Sequence, residues 1–158
     1  MAEERGACNI FMEKNIQIRL IKESDAVAVR SLSGQLGYRL SAEETVENIR
    51  DVLSNRDQAA FVACLDGVVI GWIHIFRTVR LESKSFIEIG GLIIDENYRK
   101  QGVGKLLVRS AGELAKGEHI GKLRVRCNKK RIEAHQFYRA LGFTEFKEQK
   151  VFELTIEV

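Results

Sequence analysis

One stretch of the chain combines residue types that can do chemistry at close spacing: Leu92-Ile-Ile-Asp-Glu-Asn-Tyr-Arg-Lys-Gln-Gly-Val-Gly-Lys105. An apolar run ends, a polar turn follows, and two glycines open an amphipathic segment. A strand that turns into a helix in this way collects orphan backbone N–H groups and the positive end of the helix dipole in one place, which suits an anion. Gly102 and Gly104 let a phosphate come close to the backbone, and Arg99, Lys100, Lys105 and Arg109 add positive charge. The predicted chemistry is a phosphate or pyrophosphate cradle formed by Arg99, Lys100, Gln101, Gly102, Val103, Gly104 and Lys105. Two familiar cradles are excluded by single positions. A G-x-x-x-x-G-K-[ST] loop needs Gly at 99 and Ser or Thr at 106, where the chain has Arg99 and Leu106. A dinucleotide fingerprint needs Gly or Ala at 107, where the chain has Leu107.

Upstream, Glu88 is a lone carboxylate in Phe86-Ile-Glu-Ile-Gly-Gly-Leu-Ile-Ile94. Burial in so apolar a strand raises a carboxyl pKa towards that of a general base. Simple alternation places Glu88, Gly90, Leu92 and Ile94 on one face. The competing reading is a strand Glu paired with an arginine or pointing to solvent. His74, in Trp72-Ile-His-Ile-Phe76, either packs with Trp72 and Phe76 or lines an acceptor cleft. His119 ends a helix and complements its dipole, and His135 reads as structural. The histidines lack metal-ligand spacing and there is no CxxC pair, so no metal is expected. Cys127 has no His/Asn relay and reads as a small strand residue.

These residues need elements to position them. Asn15–Leu20 alternates as a strand. Ser24 can cap a helix running through Ala26, Val29 and Leu32 towards Leu36, and Ser41-Ala-Glu-Glu44 has capping-box spacing before Val46, Ile49 and Leu53. Ala59–Leu65 and Val68–Phe76 flank an Asp66-Gly67 hairpin signal, and residues 77–84 read as a polar loop. Ser85–Ile94 is a long strand. A helix from Gly102 buries Val103, Leu106, Leu107, Ala111, Leu114 and Ala115. Lys122–Cys127 is a strand, Arg131–Leu141 a short helix closed by Gly142, and two last strands end in the strict alternation of Val151–Val158. The final strand fits either pairing across a homodimer interface or the closed edge of a monomer. Residues 1–14 read as a loose arm and 15–158 as one domain.

The chain has 158 residues, 45% hydrophobic and 30% charged, without proline. It carries no run of ~18 apolar residues that would span a membrane and no leader-like apolar stretch. Its three cysteines suit a reducing cytosol, so a cytoplasmic location is expected. The net charge of +3 hides an asymmetry, because residues 97–131 alone carry 11 Lys/Arg against 2 Asp/Glu. Nucleic acid is not the expected partner. Binding of single strands favours aromatics interleaved with the basic residues, and Tyr98 is the only aromatic in that stretch.

The element Arg99-Lys-Gln-Gly102-Val-Gly104 resembles the R-x-x-G-x-G signature of the GNAT superfamily of acyl-CoA-dependent N-acyltransferases. Ala134-His-Gln-Phe-Tyr138 with Leu141-Gly-Phe143 resembles its second motif, and the order of elements over residues 16–158 is similar. The resemblance implies an α/β (α+β) fold with one mixed, mostly antiparallel sheet. It further implies about seven strands, about four helices and a V-shaped opening between the strands at 85–94 and 122–127. It implies direct transfer of an acetyl group from acetyl-CoA to an amine in a ternary complex. Leu92, Ile93 and Ile94 would pair with the pantetheine arm, Lys100–Lys105 would wrap the pyrophosphate, and Tyr138 would face the thioester sulfur. Glu88 sits where some branches carry the base. The family's Asn seven residues before that tyrosine is Arg131 here, which leaves Asn128 or Arg131 to meet the cofactor.

The resemblance also places the loop between the first two helices over the substrate cleft, so Tyr38, Glu44 and His74 are the candidate acceptor contacts. Gln35-Leu-Gly-Tyr38 and Lys147-Glu-Gln-Lys-Val-Phe152 look similar to bacterial aminoglycoside 6′-N-acetyltransferases. An aminoglycoside-like or polyamine-like amine, or a peptide amine, is the acceptor expected. A CoA-binding sensor without catalysis and a basic nucleic-acid module are the alternatives.

Overall fold

In a computed structural model describing residues 15–158, the chain divides after Arg126. The first unit holds β1 (Ile16–Leu20), α1 (Ala26–Gly34), α2 (Ala42–Ser54), β2 (Gln58–Leu65), β3 (Val68–Arg80), β4 (Ser83–Ile94), α3 (Val103–Gly117) and β5 (Leu123–Val125). The second unit, Cys127–Val158, holds α4 (Ile132–Ala140). The sheet order is β1-β2-β3-β4-β5, with three antiparallel pairs and a parallel β4–β5 pair. This is the expected mixed, mostly antiparallel α/β sheet. Five strands form among the described residues, against the seven or so expected.

The difference lies at the C-terminus. Val151–Val158 alternates as a strand should, but it joins no ladder among the described residues, and a strand without a ladder is not a strand. The arm expected at residues 1–14 lies outside the described residues.

Local chemistry explains most boundaries. Asp66 and Gly67 both have positive φ and close the β2–β3 hairpin. The Ser41 hydroxyl accepts the Glu44 amide at 3.1 Å, and Glu44 Oε2 accepts the Ser41 amide at 2.7 Å, completing the capping box of α2. Gly142 takes φ +91 after α4.

Two local expectations fail. Residues 77–80 extend β3 instead of looping, because Arg77 and Thr78 find partners in Ile87 and Phe86. Ser24 does not cap α1. It lies within a single 3₁₀ turn, Glu23–Asp25, and Asp25 precedes the helix.

Asp25 is fixed by partners just upstream of it. Arg19 donates to both its carboxylate oxygens at 2.7 and 2.8 Å, and the Lys22 amide donates at 2.8 Å. Burial pushes this carboxyl up, but the Arg19 guanidinium and the Lys22 amide outweigh it and hold the pKa below the usual 3.8. A carboxyl lowered on folding stabilises the protein fully above its unfolded pKa, and that contribution is lost as pH falls through the folded value. Asp25→Asn is therefore expected to flatten the fall of Tm below about pH 4, as followed by thermal melts across pH.

The core has two faces. On one, Ala60, Val62 and Cys64 pack with Ala26, Val29 and Ile49 beneath α1 and α2. On the other lies α3, with Val103, Leu106, Leu107 and Ala111 buried. There a Cβ on Gly71 would meet Ile94 Cδ1 at 2.8 Å and Leu107 Cδ1 at 3.5 Å.

Candidate active site

β4 carries the site, and an irregularity in it decides which residues share a face. Ile75 pairs with Ile89 but His74 pairs with Gly91, so Gly90 is an extra residue in the ladder. The paired glycines Gly90-Gly91 suit such a bulge, which inserts one unpaired residue and leaves the ladder locally broken. Simple alternation is corrected accordingly. Glu88, opposite Phe76, shares its face with Gly91 and Ile93, which lie opposite His74 and Trp72. Leu92 and Ile94 fall on the α3 face instead.

The bulge leaves a side-chain-free notch in the strand surface, where the bare backbone of Gly90 lies against two rings of β3. Gly90 is exposed in mid-strand, and a Cβ there would lie 2.7 Å from Phe76 Cε1 and 3.3 Å from His74 Nδ1. His74 Nε2 lies 2.8 Å from Gln58 Oε1. The carboxamide oxygen accepts, so Nε2 carries the proton and Nδ1 keeps its lone pair towards the notch. Burial lowers the imidazole pKa below its ordinary 6.5 and keeps the ring neutral near pH 7.

Glu88 is buried at 3% exposure, as expected of a lone strand carboxylate. Both of its oxygens are engaged. Arg126 Nε donates to Oε1, and Thr78 Oγ1 lies 3.4 Å from Oε2. The arginine-paired reading of Glu88 is the one seen. Arg126 lies 38 residues away in sequence, so no local signal could have found it.

β4 and β5 pair over Ile87–Ile89 and then part. The pairing thus ends where the V-shaped opening between the two strands is expected. Beyond it, the β4 edge from Gly90 to Ile94 has no strand on that side among the described residues. At its far end comes the glycine turn. Lys100 has φ +60 and Gly102 φ +86, and Gly102 is the residue preceding α3. No side chain caps this helix, and its ladder begins with the bond from the Leu106 amide to the Gly102 carbonyl. The N–H groups of Gly102, Val103, Gly104 and Lys105 are therefore the orphan donors of the first turn.

Two members of the predicted cradle brace the turn itself. Arg99 Nε donates to the Ile94 carbonyl at 3.2 Å, and Gln101 Nε2 donates to the Asn97 carbonyl at 3.2 Å. The Ile94 carbonyl is thus already engaged, while Leu92 and Ile93 lie along the open edge.

In the second unit, Tyr138 is buried and packs edge-on to Phe137 and Phe143 at 5.0 and 5.3 Å. Burial raises its phenol pKa well above the ordinary range, so it stays protonated. No group among the described residues hydrogen-bonds its oxygen. Asn128 shapes the turn ahead of α4: its Oδ1 accepts the Lys130 amide at 2.9 Å and its carbonyl accepts the Arg131 amide at 3.0 Å. Arg131 precedes α4 and is exposed. Tyr38 is 64% exposed after the Gly37 turn, and Glu44 is held in its capping box.

Residues 27–143 match the acetyltransferase (GNAT) family. The chain belongs to this family. It is 26% identical to an aminoglycoside N(6′)-acetyltransferase type 1 of Stenotrophomonas maltophilia, covering 89% of this chain and 94% of that one. It is 32% identical to the N-acetylaspartate synthetase of Xenopus tropicalis over 52% of this chain, and spans only 30% of that protein's length. The fold matches the aminoglycoside N-acetyltransferase AAC(6′)-Iy, solved in complex with CoA. The TM-score is 0.81 at 19% identity, covering 92% of this chain and 98% of that one.

For this GNAT acetyltransferase, the R-x-x-G-x-G turn sits at the end of β4, as its spacing predicts. The Gly90 notch and the Gln58–His74 contact were not predicted, although the Gly-Gly pair inside a strand was a visible signal. Among the described residues no group of three or more His, Cys, Asp or Glu could hold a metal ion, and no helix is long and apolar enough to cross a membrane.

Proposed function

We propose that the chain transfers the acetyl group of acetyl-CoA to a primary amine, directly, within a ternary complex. The course of β4 carries this reading. Its open edge runs from the glycine turn before α3 to the notch at Gly90. CoA has an anionic end and an amide-bearing arm. The pyrophosphate is held by the orphan amides of Gly102–Lys105 with Lys100 and Lys105. The arm pairs with β4 at Leu92 and Ile93, as an extended ligand does with a free strand edge. The thioester then lies beside Gly90, in front of His74.

The amine nitrogen attacks the thioester carbon, the C–S bond breaks, the CoA thiolate takes a proton from Tyr138, and the second proton shed by the new amide nitrogen returns to the Tyr138 oxygen. An alkylammonium has a pKa near ~10.4, so a proton must first leave the amine. Glu88 has both oxygens engaged, and we assign it to holding Arg126 and the strand face. His74 accepts the proton at Nδ1. Asn128 and Arg131 remain the candidates for a further CoA contact. The acceptor is an aminoglycoside-like amine, supported by the Stenotrophomonas relative that nearly spans both chains. Tyr38 and the acidic start of α2, with Glu43 and Glu44, suit such a polycation.

Calorimetry with acetyl-CoA, followed by thiol release on a panel of aminoglycosides, polyamines and peptides, tests this reading. Gly102→Val forces a β-branched residue to positive φ, a strain of about 1–3 kcal/mol. The free turn then relaxes out of that geometry, binding has to restore it, and acetyl-CoA affinity is expected to fall by up to about 5–150-fold. Absence of acetyl-CoA binding would sink the proposal, and binding without turnover on any amine would leave a CoA sensor.

A further inference from the structure

A carboxylate buried in an apolar strand is costly to desolvate, and apolar residues in place of Glu88 and its partner would serve the fold at least as well. The partner shows what the pair provides. Arg126 donates to Glu88 Oε1 through Nε alone, and its side chain stays 61% exposed. Glu88 is its only hydrogen-bond partner among the described residues, so both terminal nitrogens keep their N–H groups free. A guanidinium fixed from behind by a carboxylate and open in front is arranged to meet negative charge.

The sheet decides where that open side lies. The β4–β5 ladder ends with Ile89 opposite Val125, so Arg126 follows the last pair on β5 as Gly90 does on β4. Contact with Glu88 sets the guanidinium on the face that carries Gly91 and His74. On that face His74 stands on the β3 side of β4 and Arg126 on the β5 side, with the side-chain-free glycine pair between them. The neighbouring Arg124 is directed elsewhere, 4.0 Å over the Phe86 ring.

We propose that Arg126 is a catalytic residue that stabilises the negative charge formed on the thioester oxygen during acetyl transfer. This rests on the reading of β4 as the edge that brings the thioester to Gly90. As the amine nitrogen adds to the carbonyl carbon, the C=O π pair moves to the oxygen, and it returns as the C–S bond breaks. The terminal N–H groups of Arg126 donate to that oxygen and keep their protons, because a guanidinium does not deprotonate in a protein. Glu88 is a positioning residue that holds the guanidinium in place through Nε.

Infrared difference spectra of bound, carbonyl-labelled acetyl-CoA test the contact without turnover. The thioester carbonyl stretch is expected at lower frequency in the wild-type complex than in free acetyl-CoA. R126M is expected to return it to the free value with acetyl-CoA affinity unchanged. In turnover, R126M is expected to lose about 10²–10³-fold in kcat, and R126K, which keeps the charge without the planar fork, to lose less. R126M/E88Q leaves no buried carboxylate unpaired and replaces R126M where that variant folds poorly. An unshifted carbonyl in the wild-type complex, or wild-type kcat in either methionine variant, would overturn the assignment and leave the acetyl-transfer reading standing. Loss of acetyl-CoA affinity in both methionine variants would mark Arg126 as structural and equally overturn it. A wild-type chain that binds no acetyl-CoA would overturn both.

Discussion

Replacing His74 by Asn is expected to lower kcat about 10²–10⁴-fold, the contribution typical of a positioned base, with acetyl-CoA affinity unchanged. The ring is fixed by the Gln58 carboxamide at Nε2, which leaves Nδ1 unprotonated beside the Gly90 notch. The groups around it are Gln58 and Ala60 of β2, Phe76 of β3 and the two glycines of β4. The nearest carboxylate on this face, Glu88, is paired with Arg126. Burial alone lowers the His74 pKa. The active form is the neutral ring, so activity persists as pH falls below 6.5 and is lost only through the lowered value. A pH profile of kcat/KM therefore separates the two candidate bases. H74N should abolish the acid limb and E88Q should leave it in place. The opposite result would return the proton to Glu88 and remove His74 from the mechanism.

The second large effect is on stability. Phe86→Ala is expected to cost about 3–5 kcal/mol in urea unfolding. Phe86 is 1% exposed, so truncation leaves a cavity in the strand that carries the site. Its ring also lies under two guanidinium groups, Arg124 at 4.0 Å and Arg80 at 5.5 Å. Both lose that attraction with the ring. Phe86→Leu refills most of the volume and should cost markedly less. Equal losses for both variants would mean that the cavity is not the cause.

The features legible in the sequence are those whose physics is local. The Ser41–Glu44 capping box, the Asp66-Gly67 turn, the Gly142 stop and the Gly102 turn each depend on residues within a few positions. The features missed depend on partners that residue type and periodicity do not name. Asp25 rather than Ser24 stands before α1 because Arg19, six residues back, holds it there. Arg77–Arg80 look like loop residues until β4 offers them a ladder. The face on which Leu92 and Ile94 fall is set by a register with β3 that no periodicity along β4 encodes. The alternation of Val151–Val158 is written in the chain, but a strand also needs a partner edge, which alternation alone does not supply.

Gly90 shows what the fold itself does not require. Remove it, and Ile89 would be followed by Gly91 and Leu92, alternating without a break against Ile75, His74 and Ile73. Ile87, Ile89, Leu92 and Ile94 would still turn towards α3, and Glu88, Gly91 and Ile93 would still turn away. The sheet would close as well on a chain one residue shorter. The extra glycine is an insertion tolerated at the expense of a regular ladder, and what it sets beside the imidazole is a stretch of backbone with no side chain of its own.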